Sequence, residues 1–173
     1  MAYAARTWES VAKIRFVEVE DASVAQLLIG AQTNPVGRAF TNVELTAPQE
    51  GKARSIARSL ICLNPVKRWK IGFDGNLDVY DLRYTLTHEI GHAIGLDHPS
   101  GKGQLMGYRY NEAFDGLQSG DIAGAVKLYG TPSHDARMAA RIMLGESIST
   151  SKQTGGNSGN PASMGLGATI SNE

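Results

Sequence analysis

The chain has 173 residues, enough for one domain with a real core and a short appendage. Seventeen basic residues balance 17 acidic ones, a formal net charge of +0 that offers nothing for nucleic acid or an anionic membrane to hold. The single cysteine, Cys62, excludes an intrachain disulfide, no apolar run of about 18 residues is present to span a membrane, and the opening MAYAARTWESV lacks the basic-then-apolar order of a signal peptide.

Ala2 to Val11 reads as a helix, Ala-rich with Trp8 and Val11 on one side. Lys13 to Glu20 alternates, with Ile14, Phe16 and Val19 apolar, and predicts a strand. Ala25 to Ala31 (AQLLIGA) predicts a second, and Asn34 to Arg38 (NPVGR) a turn. Ser59 to Leu63 is a third, short strand. Asp74 to Asn76 (DGN) is a turn, and Leu77 to Tyr80 a brief edge segment. Tyr84 to Ile94 predicts a proline-free helix, with Gly95 placed to end it. Gly101 to Gly116 reads as loop. Ser119-Gly120-Asp121 opens another helix through Leu128. Pro132 to Leu144 predicts an amphipathic helix capped by Ser133 and stopped by Gly145. From Ser147 the sequence turns to Gly, Ser, Thr and Asn with little to bury, which reads as a disordered tail. GGNSGN within it lacks the aspartate of calcium-binding glycine repeats and does not recur.

The chemistry is concentrated in HEIGHAIGLDH, His88 to His98, which holds three of the four histidines. His88 and His92 are four apart, so they stack on one helix face about 6 Å apart along the axis. Two imidazoles can then point at one ion. Glu89 sits roughly 100° round the helix, badly placed as a ligand but able to reach a water on the metal, where a general base belongs. A glycine at 95 can take positive φ, end the helix and bring His98 back to the same ion. Three protein ligands with an open fourth position is the catalytic pattern of zinc rather than the closed structural one.

HExxHxxGxxH is the signature of the metzincin metallopeptidases, and HEIGHAIGLDH most resembles the matrixin branch, which includes the matrix metalloproteases. Gln104-Leu105-Met106-Gly107 resembles the methionine turn that metzincins place under the zinc, with Met106 the methionine. Tyr110 matches the tyrosine of the matrixin wall segment that lines a substrate pocket. LQSGDIAGAVKLYG, Leu117 to Gly130, resembles the matrixin C-terminal helix, in which Asp121 would brace the methionine turn. AQLLIGA is similar to the strand that follows the family's first helix, and Ile61 to Trp69 (ICLNPVKRW) to the edge strand that binds substrate. The resemblance covers roughly residues 5–131. It implies an α+β fold: a twisted, mostly parallel sheet with an edge strand over the cleft, an active-site helix and a C-terminal helix. The expected organisation is a catalytic domain over 1–131, an added helix over 132–145 and a tail over 146–173.

Four departures matter. No histidine precedes His88, and Cys62 stands where the edge strand would supply one, so the second, structural zinc of matrix metalloproteases is not expected. Cys62 itself reads as a small buried apolar residue. The matrixin proline after the methionine turn is Tyr108, as in astacins and serralysins. Tyr108 either approaches the zinc and the transition-state oxyanion, as the tyrosine does there, or only shapes the pocket wall. Gly120 replaces the first of two adjacent aspartates, while Asp121 keeps the second. The family's domain also opens with a strand and a longer first helix behind a leader and an inhibitory prosegment. None is present ahead of Ala2, so the sheet is expected to show a bare edge.

The expected function is that of a zinc-dependent endopeptidase. His88, His92 and His98 hold one Zn²⁺, Glu89 is the general base, and the substrate polypeptide adds as a strand near Ile61 to Leu63. Two rivals are a zinc-binding pseudoenzyme or interaction domain, and a zinc hydrolase acting on something other than protein. Family likeness alone implies calcium and a secreted, extracellular location. Asp97 is expected beside the motif as a hydrogen-bonding partner, His134 at an exposed helix start, and Trp8 and Trp69 in packing.

Overall fold

Trp8 organises the first part of the fold. The computed structural model describes residues 1–32 and 37–146. Helix α1 (Ala2–Glu9) buries Ala4, Ala5 and Trp8, and the Trp8 indole N–H donates to the Thr87 carbonyl at 2.8 Å. The main sheet has three strands in the order β1 (Leu27–Ala31), β3 (Ile56–Leu63), β2 (Ala39–Leu45). β1 pairs parallel with β3, from Leu27 opposite Ser59 to Ala31 opposite Leu63. β2 pairs antiparallel with β3, from Ala39 opposite Leu63, with an irregularity at Glu44/Leu45. A two-stranded parallel ladder, β4 (Trp69–Lys70) with β5 (Tyr80–Asp81), leads into α2 (Leu82–Ala93). Helices α3 (Ser119–Tyr129) and α4 (His134–Met143) follow, and α4 packs against α1. The core gathers Trp8, Ile61, Ile90, Ile94, Leu105 and Met106 between sheet and helices. Each fully buried aliphatic side chain there contributes roughly 1.5–3 kcal/mol.

Three expectations are corrected. The main sheet is mixed rather than mostly parallel. The segment Ile61–Leu63 is not an edge but the end of the central strand, because β2 covers its cleft side; the strand over the cleft is β2, for which no strand was expected. Lys13–Glu20 is not a strand. Ile14 and Phe16 do pack on the core, but the Lys13 amide donates to the Gly130 carbonyl and the Phe16 amide to the Glu9 carboxylate, which leaves no ladder. On its outer side β1 pairs with no strand among the described residues.

Cys62 is buried on β3. Trp69 is half-buried, its indole N–H on the Asn64 carbonyl at 3.2 Å. Ser133 caps α4 at the Ala136 amide, and His134 is exposed beside it. Most of the expected 34–38 turn and the whole of 147–173 lie outside the described residues.

Candidate metal centre and cleft

Helix α2 is fixed at both ends by hydrogen bonds to main-chain groups. At its start the Asp81 carboxylate accepts the Tyr84 amide at 2.6 Å, filling one of the orphan donors of the first turn. At its end Gly95 has φ +96°, the Gly95 amide donates to the His92 carbonyl and the Leu96 amide to the Gly91 carbonyl, both at 2.9 Å. That paired closure is the Schellman motif, and it needs the positive φ that glycine supplies at no steric cost. The chain therefore reverses sharply, and His98 returns toward the helix.

The three imidazoles converge. Their Nε2 atoms lie 3.1, 3.2 and 3.3 Å apart. Nitrogens bound to one zinc at about 2.0–2.1 Å in tetrahedral geometry stand about 3.3–3.4 Å apart, so the spacing fits that ion. The outer nitrogens fit it as well. His88 Nδ1 lies 2.9 Å from the Leu105 carbonyl and His92 Nδ1 2.8 Å from the Leu96 carbonyl. A carbonyl can only accept, so each Nδ1 carries the proton and each Nε2 offers a lone pair to the centre. Burial first, then the neighbouring His92, pushes His88 toward the neutral form, and the Leu105 carbonyl pulls partly the other way. Burial and the other two imidazoles do the same for His98. Asp97 accepts the His98 amide at 2.7 Å and is otherwise open to solvent. Among the described residues, these three histidines are the group placed to hold a metal ion.

The floor beneath them is built by two buried residues. Met106 lies against Gly91: a Cβ there would stand 2.3 Å from the Met106 sulfur and 2.9 Å from the Trp8 ring. Asp121, at the first turn of α3, accepts the amides of Leu105 (2.8 Å), Met106 (3.1 Å) and Gln118 (2.8 Å). Leu105 thus gives its N–H to Asp121 and its carbonyl to His88.

A cleft of about 760 Å³ opens over the triad. His88, Glu89, His92, Gly95, His98, Tyr108 and Tyr110 all line it, so the sequence-predicted residues come together, with Met106 and Asp121 beneath. Tyr110 stacks on Tyr80 with ring centres 4.3 Å apart and meets Tyr84 edge-on at 4.9 Å. The Tyr110 hydroxyl accepts the Asp81 amide at 2.9 Å and donates to Glu112 at 2.7 Å, while Lys70 pairs with Glu112. Burial pushes the Tyr84 phenol up to about 12. Arg38 lies 4.3 Å over the Tyr80 ring and closes that end of the cleft. Tyr108 is 83% exposed, and its ring stacks on His98 at 3.8 Å.

Glu89 is only 6% exposed. The Thr41 hydroxyl of β2 lies 2.5 Å from its Oε2 and 3.1 Å from its carbonyl oxygen. Burial raises the Glu89 pKa above the usual carboxylate value, with Thr41, His92 and His98 pulling partly back. Sequence reasoning missed Thr41 and the Arg38–Tyr80 wall, because their partners are distant in the chain.

The Matrixin family model matches residues 1–130. Metalloendoproteinase 1-MMP of Arabidopsis thaliana is 33% identical over 153 residues, covering 82% of this chain and 40% of that protein. A serralysin of Photorhabdus laumondii is 30% identical over 95 residues, 55% of this chain and 18% of that protein. Human matrix metalloproteinase-16 is 37% identical over 67 residues, 37% of this chain and 11% of that protein. The chain spans about two fifths of the length of the first of these relatives. The match reaches from α1 through α3, over the whole of the site just described, and the chain belongs to the matrixin family of metzincin metalloproteases.

Proposed function

We propose that the protein is a zinc-dependent endopeptidase, with His88, His92 and His98 as ligands and Glu89 as general base. The convergence of three Nε2 atoms beside a buried carboxylate, in an open cleft, carries this reading. A zinc ion at the triad supplies Lewis acidity, polarising a carbonyl and lowering the pKa of a water toward about 7. Glu89 accepts a proton at its free carboxylate oxygen and returns it to the leaving amine. Tyr108, whose ring stacks on His98, is assigned the role of donating its hydroxyl to the developing oxyanion. Tyr110 and Tyr80 wall the pocket that takes a substrate side chain.

The substrate backbone adds to β2. The Asn64 amide donates to the Arg38 carbonyl, so Arg38 and every second residue after it turn their backbone groups toward β3. Ala39, Thr41 and Val43 then present theirs to the cleft, ready to pair with an extended peptide. Secretion follows from family likeness.

A binding-only role is not favoured, since it gives no use to Glu89. The test is zinc content together with cleavage of a quenched peptide library, by wild type, Glu89→Ala and Tyr108→Phe, with and without chelator. One zinc per chain and cleavage abolished by chelator and by Glu89→Ala support the endopeptidase. Zinc binding without cleavage supports the pseudoenzyme, and hydrolysis of small amides alone supports a non-peptidase hydrolase. Tyr108→Phe is expected to lower kcat about 10-fold or more; an unchanged kcat makes Tyr108 a wall residue only.

A further inference from the structure

We propose that Thr41 is the positioning residue for Glu89, holding one carboxylate oxygen so that the other faces the cleft, and tying the base to the strand that receives substrate. The inference rests on the hydrolytic reading above. A carboxylate rotates broadly about its last bond, so a general base on a helix is not aimed by its backbone alone. Fixing Oε2 fixes Oε1. The Thr41 hydroxyl is 2.5 Å from Oε2, and among the described residues it is the side chain that donates to this carboxylate.

The placement has a second consequence. Thr41 lies 48 residues from Glu89 in sequence, and its hydroxyl also reaches the Glu89 carbonyl at 3.1 Å, so it pins β2 to the middle of α2. The backbone of Thr41 faces the cleft, where the substrate strand would pair. One residue therefore registers the bound peptide and the base against each other. Packing alone does not call for a hydroxyl here: valine has the same shape, and it would leave a carboxylate that is 6% exposed without this donor.

Thr41→Val and Thr41→Ser separate the hydroxyl from the methyl. Thr41→Val should bind zinc with wild-type stoichiometry and lose about 10-fold or more in kcat, with KM within about 2-fold, as expected for a misaimed base. Thr41→Ser should recover most of that loss. A wild-type kcat in Thr41→Val overturns the proposal, and so does a Thr41→Ser protein as impaired as Thr41→Val, which would make the methyl the active part. A second measurement needs no turnover. In the protein stripped of zinc by chelator, Thr41→Val should lower Tm by roughly 3–6 °C when Glu89 is present and by clearly less in a Glu89→Ala background, where the hydroxyl keeps only the main-chain carbonyl of residue 89. Equal drops in both backgrounds overturn the Thr41–Glu89 coupling. If the wild type cleaves nothing, the endopeptidase reading fails, while the thermal cycle still decides whether Thr41 holds Glu89.

Discussion

A missing methyl group at Gly91 lets the floor of the site approach the helix. An alanine there would put its Cβ 2.3 Å from the Met106 sulfur and 2.9 Å from the Trp8 ring. The methionine end can bend away, but the Trp8 ring is fully buried and tied to Thr87, so the strain cannot be relieved on that side. Gly91→Ala should destabilise the protein by about 1–3 kcal/mol in urea unfolding; a loss below about 0.5 kcal/mol would mean that Met106 and Trp8 yield freely. Glu89 makes a pH-dependent prediction. Burial holds its carboxyl above the ordinary 4.5, so the folded chain keeps a proton that the unfolded chain has released. The stabilisation from this group is complete below about 4.5 and is lost as pH rises through the folded pKa. The chelator-treated wild type should therefore lose Tm relative to Glu89→Gln as pH is raised from about 4 to about 7. A constant or reversed difference would count against the buried carboxylate. The residues of the triad and Glu89 are legible in the sequence because their geometry is local to one helix and one turn. Thr41 is not, since nothing in AFTNVEL says that its hydroxyl will meet a residue 48 positions away.

Elements transmit position into the site. Asp121 starts α3, holds the amides of Leu105 and Met106, and Leu105 in turn holds His88 Nδ1. The helix thus helps to orient a candidate metal ligand through the Leu105 peptide. Asp121→Asn removes one acceptor from that chain, so its zinc affinity in a chelator competition should fall about 10-fold or more. Unchanged affinity would show that His88 is oriented by packing alone. Helices are legible here because local signals mark their ends: Gly95 stops α2, and Ser133 and Gly145 start and stop α4. Strands are not, because a strand is a property of two segments. Lys13–Glu20 alternates well, yet its amides go to Gly130 and Glu9. Ala39–Leu45 alternates poorly, with apolar residues at 39, 40, 43 and 45 and mostly exposed side chains, because it stands at the rim of a cleft. It pairs because β3 lies alongside, and that makes β3 central and β2 the edge strand at the cleft.

On the scale of the whole molecule, the metal should act as a clamp on a fold that stands without it. The core residues Trp8, Ile61, Ile90 and Ile94 are fully buried, and none of them lines the cleft. Their burial does not depend on an ion. The triad, by contrast, joins α2 to the turn that carries His98, and through Leu105 to α3. An ion bound there favours the folded state by mass action, about 2.7 kcal/mol when free zinc is 100 times its Kd. For a chain of this size that amounts to a Tm rise of roughly 5–10 °C. Chelator should remove the increment while leaving one cooperative transition and the same far-UV circular dichroism. His98→Ala should keep that transition and lose most of the zinc-dependent rise, since the two helix histidines alone hold an ion weakly. A chain that unfolds outright in chelator would make the zinc structural, and the burial around Trp8 would then be insufficient to sustain the fold. A zinc-dependent rise unchanged in His98→Ala would place the ion elsewhere, and the turn at Gly95 would lose its role in binding it.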